Sequence, residues 1–255
     1  MNLKLTTAMM TMMLLCSALA GCAGSDDEIE LDNADGGYEY ASNVDNHRML
    51  MGDVCDIKEA AENHDWDGVK EIYTDGVHAE KSDGSYRTLE GFASAAGKNH
   101  AYDAFYGADG SLDAFVMAAI DGTGMFAGAS DSVREQAVEK GVQNQIMTAY
   151  AIHELNSAIA KAEAGNFGTD DAQHAWDEGW AFYHGPDDAD ANYDGCSPYA
   201  TGDKRAGNFG TTVSDTDSTA KANAAILVAM NEGLAALQAE DLAGATAARD
   251  TVVKN

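Results

Sequence analysis

The sequence predicts an all-α helical bundle with long loops rich in glycine and aspartate. Three observations favour this fold class: alanine is abundant, long runs of β-branched residues are missing, and only Pro186 and Pro198 interrupt the chain. The apolar periodicity and the breaks between segments place helices near 47–63, 66–78, 88–97, 111–121, 130–164, 170–184, 198–205, 217–239 and 241–253.

Capping residues support the two central helices of this prediction. Ser130 and Asp131 stand at the start of the longest helix, and Gly165 stands at its end. The acidic run at 169–171 opens the next helix. These two helices are therefore expected to be consecutive antiparallel neighbours.

A hexapeptide, Ala-Gly-Asn-Phe-Gly-Thr, occurs twice, at 164–169 and at 206–211. In each copy the first glycine, Gly165 or Gly207, is suited to the left-handed conformation that ends a helix, and the phenylalanine is expected to fold back onto apolar surface. A reused helix stop is the simpler interpretation. The alternative is a pair of pseudo-repeated helical modules whose loops form the rim of a site.

The first residues are typical of a bacterial lipoprotein signal peptide. A single basic residue, Lys4, precedes a short apolar stretch, and Leu19-Ala20-Gly21-Cys22 follows. The apolar stretch is too short to span a bilayer, so cleavage before Cys22 is favoured over a retained membrane helix. An ordinary cleaved signal peptide with a chance cysteine is the alternative.

Three regions follow from this prediction. Residues 1–21 form the signal peptide, residues 22–46 form an acidic flexible tether that starts at a lipid-modified Cys22, and residues 47–255 form one helical domain. Ala23 and Gly24 after the modified cysteine favour the outer membrane, with the protein facing the periplasm or the cell surface.

The chain is strongly acidic, with 43 aspartates and glutamates against 15 lysines and arginines and a net charge of -28. Such a charge disfavours nucleic acid and anionic membrane surfaces as partners and favours cations. Solvation in a salty habitat would also explain it, so charge alone does not identify a ligand.

Four cysteines have three expected fates. Cys16 leaves with the signal peptide and Cys22 takes lipid, which leaves Cys55 and Cys196. In an oxidising compartment these two are expected to form a disulfide bond that stabilises the fold by on the order of 4 to 5 kcal/mol. The pair is therefore interpreted as structural and not as catalytic.

The candidate metal ligands lie on the two central helices. His153 and Glu154 fall on the first helix, and Asp177 and Glu178 fall on the second. Each helix thus places a polar group on a face that is otherwise apolar, where it requires a partner or a metal ion. His174 shares a helix face with Glu178 but is expected at the surface.

Imidazole together with carboxylates suits iron, manganese or zinc, whereas calcium prefers more oxygen ligands. The alternative is a buried polar network in which His153 and Glu178 bind each other, or pair with Lys204 and Arg205.

Other catalytic motifs are not supported. The turn at 121–124 follows no strand and has no lysine at phosphate-loop spacing, and His153-Glu154 lacks the second histidine of a zinc-protease helix. A strained Gly-x-Ser-x-Gly turn is also missing.

Several motifs between about residues 50 and 250 resemble, in order, the low-iron-inducible periplasmic protein family of green algae. They are Asp75-Gly76, Ser82 to Leu89, Asp121 to Gly124, Arg134 to Ala137, His153-Glu154, Trp176 to Glu178, Ala181 to Gly185, Lys204-Arg205 and Asn208 to Thr211. The resemblance implies an extracytoplasmic protein of iron assimilation that acts as a binding or delivery component, with no established catalytic activity. It also implies Glu154, Asp177 and Glu178 as site positions, and less firmly His153.

Relatives that respond to carbon dioxide make bicarbonate a further candidate ligand. The lipoprotein signal and the single domain copy depart from the algal pattern, so algal surface partners are not expected for this chain.

The sequence therefore favours a non-enzymatic lipoprotein that captures or stages iron for an uptake transporter. Arg205 would balance a carboxylate or a synergistic bicarbonate. One alternative is a metal-dependent enzyme with Tyr183 near its metal, and another is a structural or interaction lipoprotein without metal.

Overall fold

The computed structural model describes residues 31–98, 100–187, 193 and 195–255. The predicted signal peptide and Cys22 lie outside these residues. Within the described ranges the protein is an all-α bundle with two small antiparallel hairpins, which confirms the predicted fold class. None of the helices described is both long and apolar enough to cross a bilayer.

The helices follow one another along the described part of the chain. They are α1 (Asp45–Arg48), α2 (Leu50–Glu62), α3 (Trp66–Asp75), α4 (Leu89–Ser94), α5 (Ala101–Tyr106), α6 (Ser111–Asp121), α7 (Asp131–Lys140), α8 (Met147–Glu163), α9 (Ala172–His184), α10 (Pro198–Phe209), α11 (Lys221–Gln238) and α12 (Leu242–Lys254). The hairpin strands are β1 (Ala34–Asp35) with β2 (Tyr38–Glu39), and β3 (Thr212–Ser214) with β4 (Asp217–Ala220).

The longest predicted helix is continuous but changes its winding. A π-helical segment, Gly141–Ile146, joins α7 to α8. Gly141 lies against α6, and a Cβ atom there would come within 2.8 Å of Val116. Gly165 ends α8 in a left-handed conformation (φ 85°), as predicted.

The second copy of the hexapeptide does not repeat the first. Helix α10 continues through Gly207 to Phe209, and Gly210 takes the left-handed conformation instead. Phe209 is 78% exposed, so the expectation that it folds back onto the core was wrong. The two identical hexapeptides thus adopt different structures because the surrounding residues differ.

The prediction of a helix from residue 217 was also wrong at its start. Residues 217–220 form strand β4, which pairs with β3, and α11 begins at Lys221. Asp203 on α10 accepts a hydrogen bond from the Ala220 N–H at 2.6 Å, which holds the end of the hairpin against α10. Helix α5, over 101–106, was not predicted at all.

Two apolar clusters fill the interior. One lies among α2, α3, α4, α6, α7 and the first half of α8, and the other lies among the second half of α8, α9, α11 and α12. Trp176 anchors the second cluster by donating its ring N–H to the carbonyl of Met230 at 3.0 Å. Gly233 makes room for this ring, because a Cβ atom there would overlap it.

The end of the expected flexible tether is part of the fold. Tyr38 is fully buried, and Asp35 forms a buried ion pair with Arg48 on α1, Nε to Oδ2 at 2.7 Å. Tyr40 donates its hydroxyl to the same carboxylate at 2.6 Å. The acidic composition of this segment gave no indication of these contacts, because their partners are buried or distant. Residues 22–30 lie outside the described part of the chain.

Cys55 on α2 and Cys196 before α10 are disulfide-bonded, with 5.3 Å between their Cα atoms. The predicted disulfide is therefore present. It joins two residues that are 141 positions apart in the sequence, across the first apolar cluster.

Candidate functional site

Helices α8 and α9 pack closely against each other and bring two glutamates together. Gly179 permits this approach, since a Cβ atom there would lie 3.0 Å from the Leu155 side chain. Glu154 on α8 and Glu178 on α9 share a side-chain hydrogen bond, and their side chains are only 12% and 14% exposed. The two carboxyl groups therefore converge between the helices.

Two imidazoles lie on either side of Glu178. Nε2 of His47, from α1, and Nε2 of His174, one turn before Glu178 on α9, are each 3.2 Å from Glu178 Oε1. His47 is buried, and its Nδ1 has no hydrogen-bond partner among the described atoms. His174 was expected at the surface, but it is half-buried and points into the site.

A hydrogen-bonded relay fixes the orientation of His174. Ser42 donates its hydroxyl to Asp177 Oδ2 at 2.7 Å, and the same Ser42 oxygen lies 2.9 Å from His174 Nδ1. Because the serine hydroxyl donates to the carboxylate, its oxygen accepts from Nδ1–H. Because this bond uses Nδ1, the other ring nitrogen of His174, Nε2, is available to contact Glu178 or a metal ion.

Asp177 itself lies outside the cluster. Its carboxylate is fully buried on an adjacent face of α9 and accepts hydrogen bonds from the Tyr38 hydroxyl (2.6 Å) and from the backbone N–H groups of Ala41 (3.0 Å) and Ser42 (2.8 Å). Successive helix residues point in different directions, so Asp177 and Glu178 do not face one ion. The geometry gives Asp177 a positioning role instead of the predicted ligand role.

The protonation of the carboxyl pair follows from burial. Burial and the neighbouring Glu178 raise the pKa of Glu154 to about 8. Burial opposes ionisation of Glu178 as well, but the hydrogen bond from His174 and the nearby His47 outweigh it and lower its pKa to about 2. The pair thus holds one proton between its two carboxyl groups near neutral pH.

The two imidazoles are shifted in opposite directions. Burial lowers the pKa of His47 to about 4, whereas the hydrogen bond to Glu178 raises the pKa of His174. His47 is therefore neutral and able to offer a nitrogen lone pair, and His174 is the more readily protonated of the two.

An open cavity of about 460 Å³ leads to the carboxyl pair. Three cationic side chains line it: Lys81 and Arg87, which precede α4, and Lys98, which follows α4. Phe92 and Tyr150 form part of its apolar wall. The cavity thus combines a buried acidic floor with a basic rim, an arrangement that suits a cation bound together with an anion.

His153 lies at the edge of this cluster. Its Nε2 is 3.7 Å from Glu154 Oε1 and 3.3 Å from Lys98 Nζ, and its Nδ1 is 3.2 Å from the Lys98 carbonyl. Burial lowers its pKa. His153 is therefore close to the carboxyl pair, but Lys98 also occupies the space beside its ring.

Arg205 and Lys204 are exposed on α10 and are not among the residues that line the cavity or contact the glutamates. The position expected for Arg205 is filled by Arg87, whose charge acts on both Glu178 and Glu154.

The donor set fits a transition metal. Two ligands that each lie about 2.1 Å from a metal are separated by roughly 3.0 to 3.4 Å at coordination angles of 90° to 110°. The two N to O distances of 3.2 Å at Glu178 fall in this range. In the described part of the chain, however, the group whose ligand atoms all lie within 4.8 Å of one another is Asp32, Asp35 and Asp187. The histidines must therefore move towards each other to share an ion.

The aspartate group already has its cation. Arg48 donates to both oxygens of Asp35 at 2.7 Å and lies 3.6 Å from Asp32. Asp187 accepts from the Gly36 N–H at 2.6 Å. A metal ion would have to displace a buried guanidinium, so the glutamate and histidine cluster is the better candidate.

The family model described as low iron-inducible periplasmic protein matches residues 11–254. The chain belongs to this family. No match was found among curated proteins or among solved structures. The resemblance seen in the sequence motifs is thereby confirmed, and the family description indicates an extracytoplasmic protein connected with iron.

Three site residues of this low iron-inducible periplasmic protein were missed by the sequence prediction. His47 stood at the boundary of the assumed tether, and Arg87 and Lys98 come from a segment far from α8 and α9 along the chain. Arg87 lies inside one of the motifs on which the family resemblance rests, and this motif was the signal from which Arg87 could have been predicted as a site residue.

Proposed function

We propose that this low iron-inducible periplasmic protein is an extracytoplasmic, lipid-anchored iron-binding protein that captures or stages iron for uptake. The observation that supports it most is the convergence of Glu154 and Glu178 between α8 and α9, with His47 and His174 on either side. A buried carboxyl pair is costly unless a proton or a metal ion separates the two charges.

The proposed ligands are His47, Glu154, His174 and Glu178, with His153 as a neighbour. Two imidazoles and one carboxylate with open positions are the set that non-haem Fe(II) sites use, and a second carboxylate adds negative charge. Manganese and zinc accept the same ligands, so the metal specificity would depend on availability and geometry. Asp177 contributes through Ser42 by orienting His174.

Arg87 and Lys98 would hold the synergistic anion, for which bicarbonate is the proposed species. Both side chains line the cavity above the carboxyl pair, whereas Arg205 does not. A planar oxyanion suits the bidentate donors of an arginine, and it would also complete the coordination of the metal.

The remaining parts of the proposal concern location and partners. Lipid attachment at Cys22 would hold the protein at the outer membrane, and a transporter of iron would receive the ion. We propose binding and release without turnover. The hydroxyl of Tyr183, which the enzyme alternative placed near the metal, donates instead to Asn223 at 2.6 Å.

Anaerobic titration calorimetry with Fe(II) tests the proposal. The wild-type protein should bind one ion per chain, and Glu178→Gln should lower the affinity at least tenfold, because the amide no longer supplies a charged oxygen. Glu232→Gln, at an exposed position on α11, is the matched control and should bind as the wild type does. Equal affinities for Glu178→Gln and wild type would refute the site.

A further inference from the structure

A second cavity of about 550 Å³ lies beside the iron cavity and shares Lys98 with it. One face of α8 forms its floor, with Thr148, Ile152 and His153 among the lining residues. The π-helical segment before α8 contributes Asn144 and Gln145. π-Helical turns are rare and frequently occur at functional sites, so this change of winding is a first indication of a ligand.

The charge of the lining is unusual for this chain. The protein has a net charge of -28, yet none of the described residues that line the second cavity is acidic. Lys98 is the lining residue that brings a cationic side chain to this cavity. The cavity is therefore suited to one negative charge, and it lacks the carboxylate that an amine or an amino acid would require.

Unsatisfied polar groups point to the same conclusion. His100 is 4% exposed, and its Nε2 has no hydrogen-bond partner among the described atoms. The Gln145 side-chain oxygen, also buried, lacks a partner in the same way. Buried polar groups are nearly always hydrogen-bonded, so each of these atoms favours a polar ligand or water in the cavity.

We propose that this second cavity binds a small aliphatic hydroxycarboxylate. Its carboxylate would pair with Lys98, and its hydroxyl groups would bond to the amides of Asn144 and Gln145 and to the hydroxyls of Thr148 and Ser157. Ala149, Ile152 and Ala160 provide the apolar surface for the carbon chain. The position of Lys98 between the two cavities would place this ligand next to the iron site, although binding of the acid does not depend on iron.

Calorimetry on the metal-free protein tests this proposal with gluconate as the probe. Gluconate should bind saturably, and Lys98→Gln should weaken it at least tenfold, because the ion pair is lost. Lys204→Gln, at an exposed position on α10, is the matched control and should have no effect. Thr148→Val, which removes one hydroxyl and keeps the shape, should weaken binding about threefold to tenfold.

Two further probes separate the chemical requirements. Glucose has the hydroxyls without the carboxylate, and hexanoate has the carboxylate without the hydroxyls; neither should bind as gluconate does. No saturable heat with gluconate at roughly 10 mM would overturn the proposal, as would equal binding of glucose or of hexanoate. Glu178→Gln should leave gluconate binding unchanged, so failure of the iron site and failure of this cavity are distinguishable.

Discussion

Asp177 and Glu178 are adjacent in sequence, but substitution of Asp177 should mainly lower stability, whereas substitution of Glu178 should mainly lower iron affinity. Asp177→Ala removes a buried acceptor that now binds the Tyr38 hydroxyl, the Ser42 hydroxyl and two backbone N–H groups. A buried donor left unpaired costs about 1 to 3 kcal/mol, and the two N–H groups are only partly buried, so we expect a loss of about 3 kcal/mol in unfolding free energy.

Glu178→Ala should cost less than about 1 kcal/mol of stability in the metal-free protein. The Glu178 carboxylate borders an open cavity, and water is able to replace it beside His47 and His174. Iron binding should suffer far more, with a loss of about a hundredfold or greater, because a charged ligand is removed. Asp177→Ala acts only through the orientation of His174 and should weaken iron binding by roughly tenfold.

Two measurements on the same preparations test this pair. Urea denaturation, monitored by circular dichroism in the presence of a chelator, gives the unfolding free energy, and anaerobic calorimetry gives the iron affinity and stoichiometry. Asp177→Ala should retain one ion per chain. The reasoning would be refuted if Asp177→Ala were as stable as wild type, or if it lost iron while Glu178→Ala retained it.

Three further perturbations have defined outcomes. Replacing Cys55 and Cys196 together by alanine should lower the unfolding free energy by about 5 kcal/mol, since a loop with a sequence separation of 141 residues is no longer closed; an unchanged urea midpoint would contradict this. Burial raises the pKa of Asp53 to about 6 from 3.8, so its contribution to stability is complete below pH 4 and is lost as the pH rises through 6. Asp53→Asn should remove that loss, so the stability difference from wild type should change by about 2 to 3 kcal/mol between pH 4 and pH 7. Cys22→Ala should abolish incorporation of a tagged fatty acid into the protein in cells, and labelling equal to that of the wild type would exclude lipid attachment at this residue.

The helices could be predicted because their signals are local. The segment 111–121 has a helical apolar period bounded by glycines, and α6 occupies the same residues. The hairpin at 212–220 could not be predicted in this way, since its strands have three and four residues and depend on the Asp203 contact from α10. The buried segment before α1 depends in the same way on Arg48.

The candidate site was predictable only in part, for a related reason. Glu154 and Glu178 lie on consecutive antiparallel helices, so their convergence follows from the sequence order and from the helical period. His47 and Arg87 reach the same cavity from α1 and from the segment before α4 through tertiary packing, which no local pattern specifies. Asp177 was wrongly predicted as a metal ligand because the sequence does not show on which side of the helix a carboxylate has its partners.

Anomalous diffraction at the iron absorption edge tests the central claim most directly. Crystals grown with Fe(II) should show one strong peak within about 2.1 Å of a Glu178 oxygen and of the imidazole nitrogens of His47 and His174, with Glu154 completing the set. A peak among Asp32, Asp35 and Asp187, or the lack of any peak at full iron loading, would contradict the account.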